Sequence, residues 1–591
     1  MRKLFTLRTL WYLLICLLIT GVVQTNAAVG DAGVQSVISP SSPVCKGTSS
    51  VSVIIQNFGA ITISTADIHW KVNGSSQPTY NFNGSIAAGS QDTVTIGSFN
   101  FTTGPYTIKA WTKNPNGSAD SDNSNDTTEA AITVSTALTG TYTIAGSSPN
   151  FSNFNAAVNA LITNGICGPV IFNIRAYTDT MQSVIPEIVG ADSLNNIVFQ
   201  SENGDSTSVV LTYPSQDTLI NNHLISLNGA DYITFNKLTL QRTGIRANAH
   251  VIEFTNNATH NYVTNCQLIG AIGTTINSLA AILYSSNAIT SNDSMNTFNH
   301  NLIKNGSLGI YMNGISGLSL EYNTTIQFNK FVDQYSKGIQ NTNQGATLIE
   351  GNTFTTTSNY AGYTAVWLDR SLRIHHIIKN KILAVPGAGM YFVDCIGQSG
   401  VHGVIANNFI QSNDSAGISM VNGDYQDIVH NSILMTGSNP TFAALLMRGS
   451  GVGKVVKNNI LANNGAGYSY VVSDSAIYGI QASDHNNLYA VGSFIGNYNG
   501  TQQATLANWV AASQKDSVSI NVNPSFVSDS DLHVASIAMD DRGVHLTNVS
   551  DDIDGQTRSL VTPDIGADEY TSFSRSVGIT AILYPDRKSV V

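Results

Sequence analysis

The stretch VVKNNILANN, Val455 to Asn464, contains a motif that recurs along the chain: asparagine at a corner, followed by a short apolar run. Its variants are found at Asn301, Asn329, Asn352, Asn380, Asn407, Asn431, Asn458 and Asn486. These positions are separated by 23 to 28 residues, and no helical pattern lies between them. A period of this length, built from short apolar alternations and Gly/Asn turns, predicts a solenoid with one coil per repeat.

Asparagine suits such a corner for two reasons. It tolerates the left-handed backbone conformation that a sharp bend requires, and its side-chain amide can bond to the equivalent amide of the next coil, forming a ladder. We expect the apolar residues that follow, such as Ile460, Phe409 and Ile433, to point into the stacked core. Similar corners at Asn236 and Asn265 extend the predicted solenoid to residues 195–497.

These repeats resemble the right-handed parallel β-helix of pectate-lyase-like exported bacterial proteins. The resemblance covers more than half of the chain, and it is to the generic repeat rather than to the signature of any one enzyme. It implies an all-β fold with three parallel sheets. The stretch NFSNFNAAVNALITNG, with Phe154, Val158 and Leu161 on one face, predicts a single helix. We expect residues 136–194 to contain this capping helix and the first strands, because an open solenoid end exposes its core.

Residues 29–135 have a different pattern, in which short apolar and polar alternations are separated by turn residues. This pattern predicts a small antiparallel sandwich. The stretches VSVIIQNFGAITIS and AAGSQDTVTI resemble the CARDB-like, immunoglobulin-like modules of bacterial surface proteins. In the loop that follows, Asp120, Asp122 and Asp126 could supply oxygen ligands to calcium. A solvated polar turn is favoured, since no fixed ligand spacing is present, and no other cofactor is expected.

Residues 498–572 resemble the closing segment of exported bacterial β-helix proteins, which ends in the motif DIGADE. A catalytic or calcium site could be built there from acidic residues, although turn and cap roles are favoured for them: Asp551, Asp552, Asp554, Asp564 and Asp568. The final stretch VGITAILYP resembles AGVQSVISP at the start of the sandwich. Residues 573–591 are therefore expected to begin a further, truncated module.

Composition and the N-terminus indicate where the protein acts. Only 11% of the 591 residues are charged and the net charge is -11, so nucleic acid and anionic membranes are not expected partners. Residues 1–28 have the basic start, apolar run and small-residue end of a signal peptide, which predicts a secreted or cell-surface protein. The apolar run is short for a membrane span, and no second run follows it. The oligomeric state is left open.

Four cysteines follow the predicted signal peptide: Cys45, Cys167, Cys266 and Cys395. Their wide spacing matches no zinc motif, and connectivity cannot be deduced from sequence. Isolated buried thiols are favoured over disulfides.

Candidate binding residues come from a polar column expected along one strand of each coil. Asp369, Arg370, Asp394 and Arg448 could hold a glycan, while Trp367 and Tyr391 could stack on its sugar rings. Tyr311 is a further candidate for stacking. The alternative is that strand-end Asn and Asp are only turn formers. His375 and His376 are adjacent in a predicted strand and face opposite ways, so a shared metal is not expected.

Three functions are compatible with these patterns. The favoured hypothesis is a noncatalytic, adhesin-like surface protein that binds polysaccharide or cell-surface glycans. The second is a polysaccharide lyase or hydrolase with its site near Asp369, Asp394 and Arg448, although fold alone does not imply such an activity. The third is a structural stalk that neither binds nor cleaves.

Overall fold

The structure is a computed structural model that describes residues 30–570, except 42–43, 135, 218–220, 274–275, 286–290, 316–319 and 535. The predicted signal peptide and the predicted module at residues 573–591 lie outside the described residues. The chain forms two compact units. Unit 1 comprises Met1–Thr139 and Asn164–Gly168, and unit 2 comprises Gly140–Thr163 and Pro169–Val591.

Unit 1 is an antiparallel β-sandwich. Its first sheet contains Ala32–Ser39, Gly47–Asn57 and Gln91–Phe101, and its second contains Ile63–Val72, Ser75–Ser76, Tyr80–Ile86, Gly104–Lys113 and Thr127–Val134. A short 3-10 helix, Pro115–Gly117, follows the strand Gly104–Lys113. Side chains alternate between the core and solvent with a period of two, which buries Trp70, Ile108 and Ala110 in one apolar cluster. The predicted sandwich is confirmed.

The preference for free thiols was wrong for half of the cysteines. Cys45 and Cys167, both in unit 1, form a disulfide that joins positions 122 residues apart. Sequence separation gave no indication that these two residues meet. Cys266 and Cys395 are buried free thiols, as expected.

Unit 2 is a parallel β-helix of three long sheets, numbered in the order in which each coil visits them. Sheet 1 has 13 strands: Leu138–Ile144, Ile166–Ile174, Ile197–Ser201, Ile233–Asn236, Tyr262–Thr264, Thr297–Asn299, Thr325–Gln327, Leu348–Glu350, His376–Ile378, Gly403–Ala406, Gln426–Val429, Lys454–Lys457 and Ile480–Asp484. Sheet 2 has 12 strands: Tyr177–Thr180, Val209–Pro214, Thr239–Thr243, Gln267–Ile269, Leu302–Lys304, Lys330–Val332, Thr353–Thr355, Lys381–Val385, Phe409–Ser412, Ser432–Met435, Ile460–Asn463 and Asn487–Ala490. Sheet 3 has 13 strands: Ser183–Pro186, His223–Asn228, His250–Thr255, Ala281–Ser285, Leu308–Asn313, Lys337–Thr342, Thr364–Asp369, Ala388–Val393, Ala416–Val421, Ala443–Arg448, Tyr468–Val472, Gly496–Tyr498 and Thr501–Gln503. The three-sheet β-helix predicted from the repeat is confirmed.

Short elements complete unit 2. Two small sheets pair Glu321–Tyr322 with Gln344–Gly345 and Phe526–Ser528 with Asp531–Val534. The α-helices are Phe154–Asn164 and Leu506–Ser513, and 3-10 helices cover Ser278–Ala280 and Asp474–Tyr478. The first α-helix lies at the predicted place and buries Phe154, Val158 and Leu161. Phe154 packs against Phe199 of the first coils at 4.7 Å between ring centroids, so the helix covers core side chains there.

An asparagine ladder runs between sheets 1 and 2. In each step the side-chain nitrogen of one asparagine lies 2.9–3.1 Å from the side-chain oxygen of the next. Its members are Asn301, Asn329, Asn352, Asn380, Asn408, Asn431, Asn459 and Asn486. The predicted ladder is confirmed, but its register was wrong by one residue at Asn407 and Asn458.

The backbone explains this shift. Asn407 and Asn458 have φ values of 56° and 57° and form the bend itself, one residue before the ladder. In other coils the bend is made by residues such as His430 and Lys379, which also have positive φ. The two properties that make asparagine suitable for a corner therefore belong to two successive positions, and NN pairs fill both.

The apolar residues after the ladder alternate between two faces. Ile433 is fully buried and belongs to the same column as Ile410 and Leu461, inside the coil. Phe409 and Ile460 belong to the other column, so the expectation that they point into the core was wrong. They are buried because closing-segment residues such as Leu532 and Ile565 pack over the outer face of sheet 2.

Candidate functional site

An aromatic column runs along the outer face of sheet 3. Strand pairing aligns Tyr284, Tyr311, Gln340, Trp367 and Tyr391 on five successive strands. Each is partly exposed, whereas the flanking residues of its own strand point inward and are buried. The rings contact one another: centroids are 5.8 Å apart for Tyr284 and Tyr311, and 4.6 Å apart for Trp367 and Tyr391. The column is therefore a partly exposed aromatic strip, interrupted once by Gln340.

A polar groove of about 610 Å³ lies beside the strip. Its lining combines one ring of the strip with amide, hydroxyl and charged groups: Tyr311, Asn313, Gly314, Ile315, Gln340, Thr342, Asn343, Asp369 and Arg370. Binding sites commonly combine apolar or aromatic surface with a few polar groups that fix orientation. The groove and the aromatic strip together have this character.

Asp369 and Arg370 form an ion pair in the groove. An Nη2 nitrogen of Arg370 lies 2.7 Å from an Asp369 carboxylate oxygen, and Arg370 Nε donates to the Asn343 side-chain oxygen at 3.0 Å. Arg370 has a positive φ of 51° at the corner where its strand ends, which directs its side chain out of the strand pattern. Half of the Arg370 side chain is exposed, so part of its guanidinium faces solvent.

The electrostatics of Asp369 reflect this position. Partial burial raises the pKa of the Asp369 carboxyl, Arg370 opposes that shift, and the nearby Asp394 adds to it. Asp394 forms the equivalent corner on the next strand, with a φ of 50°. Its carboxylate accepts a hydrogen bond from the Asn422 side chain at 3.0 Å.

Arg448 lies apart from the other predicted residues. The register aligns Asp369 with Val393, Val421 and then Arg448, so three strands separate the two charged groups. At about 4.8 Å per strand this places Arg448 roughly 14 Å along the sheet. The structure thus brings Trp367, Asp369, Arg370, Tyr391 and Asp394 onto neighbouring strands but leaves Arg448 outside their immediate surroundings.

Several residues of this surface were missed in the sequence. Lys337 Nζ lies 4.8 Å from the centre of the Trp367 ring, and burial lowers the pKa of this amine. Gln340 and Tyr284 continue the column, and Asn343 contacts Arg370. The signal in the sequence was the outward-facing position that precedes a buried residue in each strand. Small shifts between repeats made it difficult to align these positions.

The histidine pair is structural in character. His375 is fully buried, and burial lowers the pKa of its imidazole to about 4, so it is neutral near pH 7. His376, the next residue, is partly exposed. The two rings do not share a face, in agreement with the prediction.

In unit 1, the aspartates of the predicted polar loop bond mainly to their own surroundings. Asp120 accepts from the backbone N–H groups of Ala32 and Asp122, and Asp122 accepts from Ser124. Asp126 is buried, and this burial raises the pKa of its carboxyl to about 6. The solvated polar turn stays the favoured prediction for this loop, with calcium as the alternative.

The closing-segment aspartates divide by role. Asp552 accepts three backbone N–H groups, from Asp554, Gln556 and Glu569, as the predicted turn role requires. Asp564 accepts two, and Asp551 pairs with Lys379 at 2.5 Å. Asp554 and Asp568 instead lie near His533.

Comparison with known proteins gives likenesses of fold. No protein-family model and no curated protein sequence matches the chain. A CARDB domain from Pyrococcus furiosus matches at 17% identity and a TM-score of 0.15, covering 18% of this chain and 89% of that one. A surface adhesin of Streptococcus pneumoniae matches at 13% identity and a TM-score of 0.32, covering 50% and 85%. A family 28 exopolygalacturonase of Yersinia enterocolitica matches at 11% identity and a TM-score of 0.26, covering 79% and 98%.

Identities and TM-scores this low identify no activity. Among the described residues, no helix combines the length and the apolar character needed to cross a bilayer.

Proposed function

We propose that this chain is an exported, noncatalytic surface protein that binds glycans along sheet 3. The observation that carries the proposal is the aromatic strip beside the polar groove. The N-terminal pattern supports export, and the low charge is suited to a partner recognised by stacking and hydrogen bonding rather than by bulk electrostatics.

The strip suits a polymer. Sugar rings have one face of C–H groups, and that face packs favourably on aromatic rings, whose apolar area supplies much of the binding free energy. Adjacent strands are about 4.8 Å apart, so a chain lying along the column would meet a new side chain at each step. Trp367 and Tyr391 form the largest continuous pair of rings in the strip.

The groove supplies the polar half of recognition. Sugar hydroxyls both donate and accept hydrogen bonds, and the partly exposed amide of Gln340 offers a donor and an acceptor at the edge of the groove. The exposed part of Arg370 can bond to a hydroxyl or to the carboxylate of an acidic sugar. We expect neutral or acidic polysaccharides as ligands.

The geometry favours binding over turnover. Asp369 is paired with Arg370, and Asp394 is bonded to Asn422. Arg448, the basic residue of the predicted catalytic set, lies three strands from Asp369. A lyase needs a base beside its acidic groups, and these residues do not assemble one.

A hydrolase is the second candidate because of one observation. Glycosidases use two carboxyl groups, one of which has a raised pKa. Asp369 and Asp394 lie on adjacent strands, and the pKa of Asp369 is raised. If the protein is a hydrolase, Asp394→Asn should abolish turnover while leaving binding intact.

The test is to pass the purified protein, with calcium present, over immobilised acidic and neutral polysaccharides and to assay the released reducing or unsaturated ends. We expect retention without turnover, and an affinity reduced about tenfold or more in Trp367→Ala. Tyr262→Ala is the matched control, since Tyr262 is an outward aromatic residue on sheet 1 that is 45% exposed. An equal loss of affinity in both variants, or no loss in Trp367→Ala, would exclude this surface as the binding site. Turnover would establish the hydrolase or lyase. If the protein shows neither retention nor turnover, the structural stalk becomes the favoured hypothesis.

A further inference from the structure

Three separate parts of the closing segment meet around one histidine. His533 lies in the strand Asp531–Val534, Asp554 lies in the turn that follows Asp552, and Asp568 belongs to the final DIGADE motif. One ligand atom from each of His533, Asp554 and Asp568 lies within 4.8 Å of the other two. These atoms are close enough to bind one ion after small side-chain movements.

The imidazole of His533 is held in a fixed orientation. Its Nδ1 atom contacts the carboxylate of Asp531, while Nε2 lies 2.6 Å from Asp554. The ring also packs edge-on against Phe409, with centroids 4.8 Å apart. Metal-binding histidines commonly bond through one nitrogen to a carboxylate that orients the other nitrogen towards the ion. Asp531 has this orienting position.

Asp568 points independently to a ligand. Its side chain is only 5% exposed, and in the described part of the chain its carboxylate has neither a hydrogen-bond donor nor an ion-pair partner. Asp552 and Asp564, nearby in the same segment, are each satisfied by backbone N–H groups. A buried carboxylate without a partner is costly, and a bound cation would remove that cost.

We propose that His533 Nε2, Asp554 and Asp568 bind a divalent first-row transition metal such as Zn²⁺, with Asp531 as the orienting residue. An imidazole nitrogen with two carboxylates suits zinc, whereas calcium and magnesium prefer oxygen ligands alone. Binding replaces the proton that His533 shares with Asp554. It also displaces Lys381, whose amine lies 3.4 Å from Asp554 and whose side chain is exposed enough to move.

The ion would stabilise the closing segment on the β-helix. The liganding residues are separated by 21 and 14 positions in the sequence. They lie beside the apolar cluster in which Leu532 and Ile565 cover Phe409 on sheet 2, since the His533 ring packs against Phe409. A metal ion joining them restrains all three parts of the segment at once, which is the role of a structural metal site.

The test uses the untagged full chain, treated with EDTA and dialysed, and titrated with ZnCl₂ by calorimetry and by thermal unfolding. We expect one zinc equivalent to bind and the unfolding temperature to rise. Asp568→Asn and His533→Gln should lose both responses. Asp551→Asn is the matched control, because Asp551 lies in the same segment but pairs with Lys379.

Misfolding can be separated from loss of the metal. Asp568→Asn removes a buried charge without removing a hydrogen bond, so in EDTA this variant should unfold at or above the temperature of the parent. The proposal is overturned if zinc does not bind, or if Asp568→Asn binds it as tightly as Asp551→Asn does. It is also overturned if CaCl₂ gives the same response and His533→Gln leaves that response unchanged.

Discussion

The side-chain nitrogen of Asn431 lies 3.0 Å from the side-chain oxygen of Asn459, one coil further along the ladder. The same nitrogen also donates to the backbone oxygens of Ile405 and Val429, and the Asn431 oxygen accepts from Asn408. One fully buried side chain therefore satisfies polar groups of three successive coils. Each of these bonds is protected from water, so leaving its partners unsatisfied is costly.

Replacing Asn431 by leucine should therefore destabilise the β-helix strongly. Leucine keeps the branched shape but replaces the amide with two methyl groups, so the partners of Asn431 lose their hydrogen bonds, at a cost of about 3 kcal/mol or more. The change should appear as a lower midpoint of unfolding in denaturant. Asn359→Leu is the control, because Asn359 is exposed and its side chain makes no hydrogen bond within the described residues. Equal midpoints for the two variants would contradict the structural role of the ladder.

Arg370→Gly should separate stability from binding. Arg370 has a positive φ of 51°, a conformation that glycine adopts without strain, and the equivalent corner three strands along is Gly449 with a φ of 70°. Relief of backbone strain should nearly cancel the loss of the contacts with Asp369 and Asn343, leaving the free energy of unfolding within about 1 kcal/mol of that of the parent. Retention on acidic polysaccharide should fall, because the guanidinium is gone. A variant that binds as the parent does would exclude Arg370 from recognition.

The buried carboxyl of Glu321 should make the stability fall as the pH rises from 4.5 to about 8. Burial, with a contribution from Asp293, raises the pKa of the Glu321 carboxyl from 4.5 to about 8. Between these values the folded state holds a proton that the unfolded state has released. The stabilising effect is complete below pH 4.5 and is lost as the pH rises through 8.

The check is to measure unfolding midpoints of the parent and of Glu321→Gln between pH 5 and pH 9. Glutamine stays uncharged, so its advantage over glutamate should grow with pH and reach the order of a few kcal/mol. Asp293, with a pKa raised by burial to about 6, contributes in the same direction and remains in both proteins. Parallel pH profiles would show that Glu321 is not protonated in the folded state.

The cysteines give a direct chemical test. Of the four cysteines after residue 28, two should be thiols that react only after unfolding, because Cys266 and Cys395 are buried. Mass spectrometry without reduction should find Cys45 joined to Cys167. The double variant Cys45→Ser with Cys167→Ser should lose about 2–4 kcal/mol of stability in unit 1, since the disulfide closes a loop of 122 residues. Four reactive thiols in the unfolded, unreduced protein would contradict the pairing.

The fold could be predicted because its main signal is local and repeated. Each coil needs a bend with positive φ followed by a buried amide, and an asparagine that recurs every 23 to 28 residues supplies the amide. The one-residue error at Asn407 and Asn458 arose where both positions are asparagine, so the sequence alone did not distinguish the bend from the ladder. The helix Phe154–Asn164 was equally visible, through its apolar period.

What the sequence alone determined was therefore the solenoid, its amide ladder and the sandwich before it, because local periodicity encodes each of these. Only the tertiary structure decided which residues share a surface. The period varies between coils, and a shift of one residue moves a side chain to the opposite face, so the strip of Tyr311, Trp367 and Tyr391 follows from strand register. The pairing of Cys45 with Cys167, and the meeting of His533 with Asp568, join distant positions whose proximity depends on the folded chain.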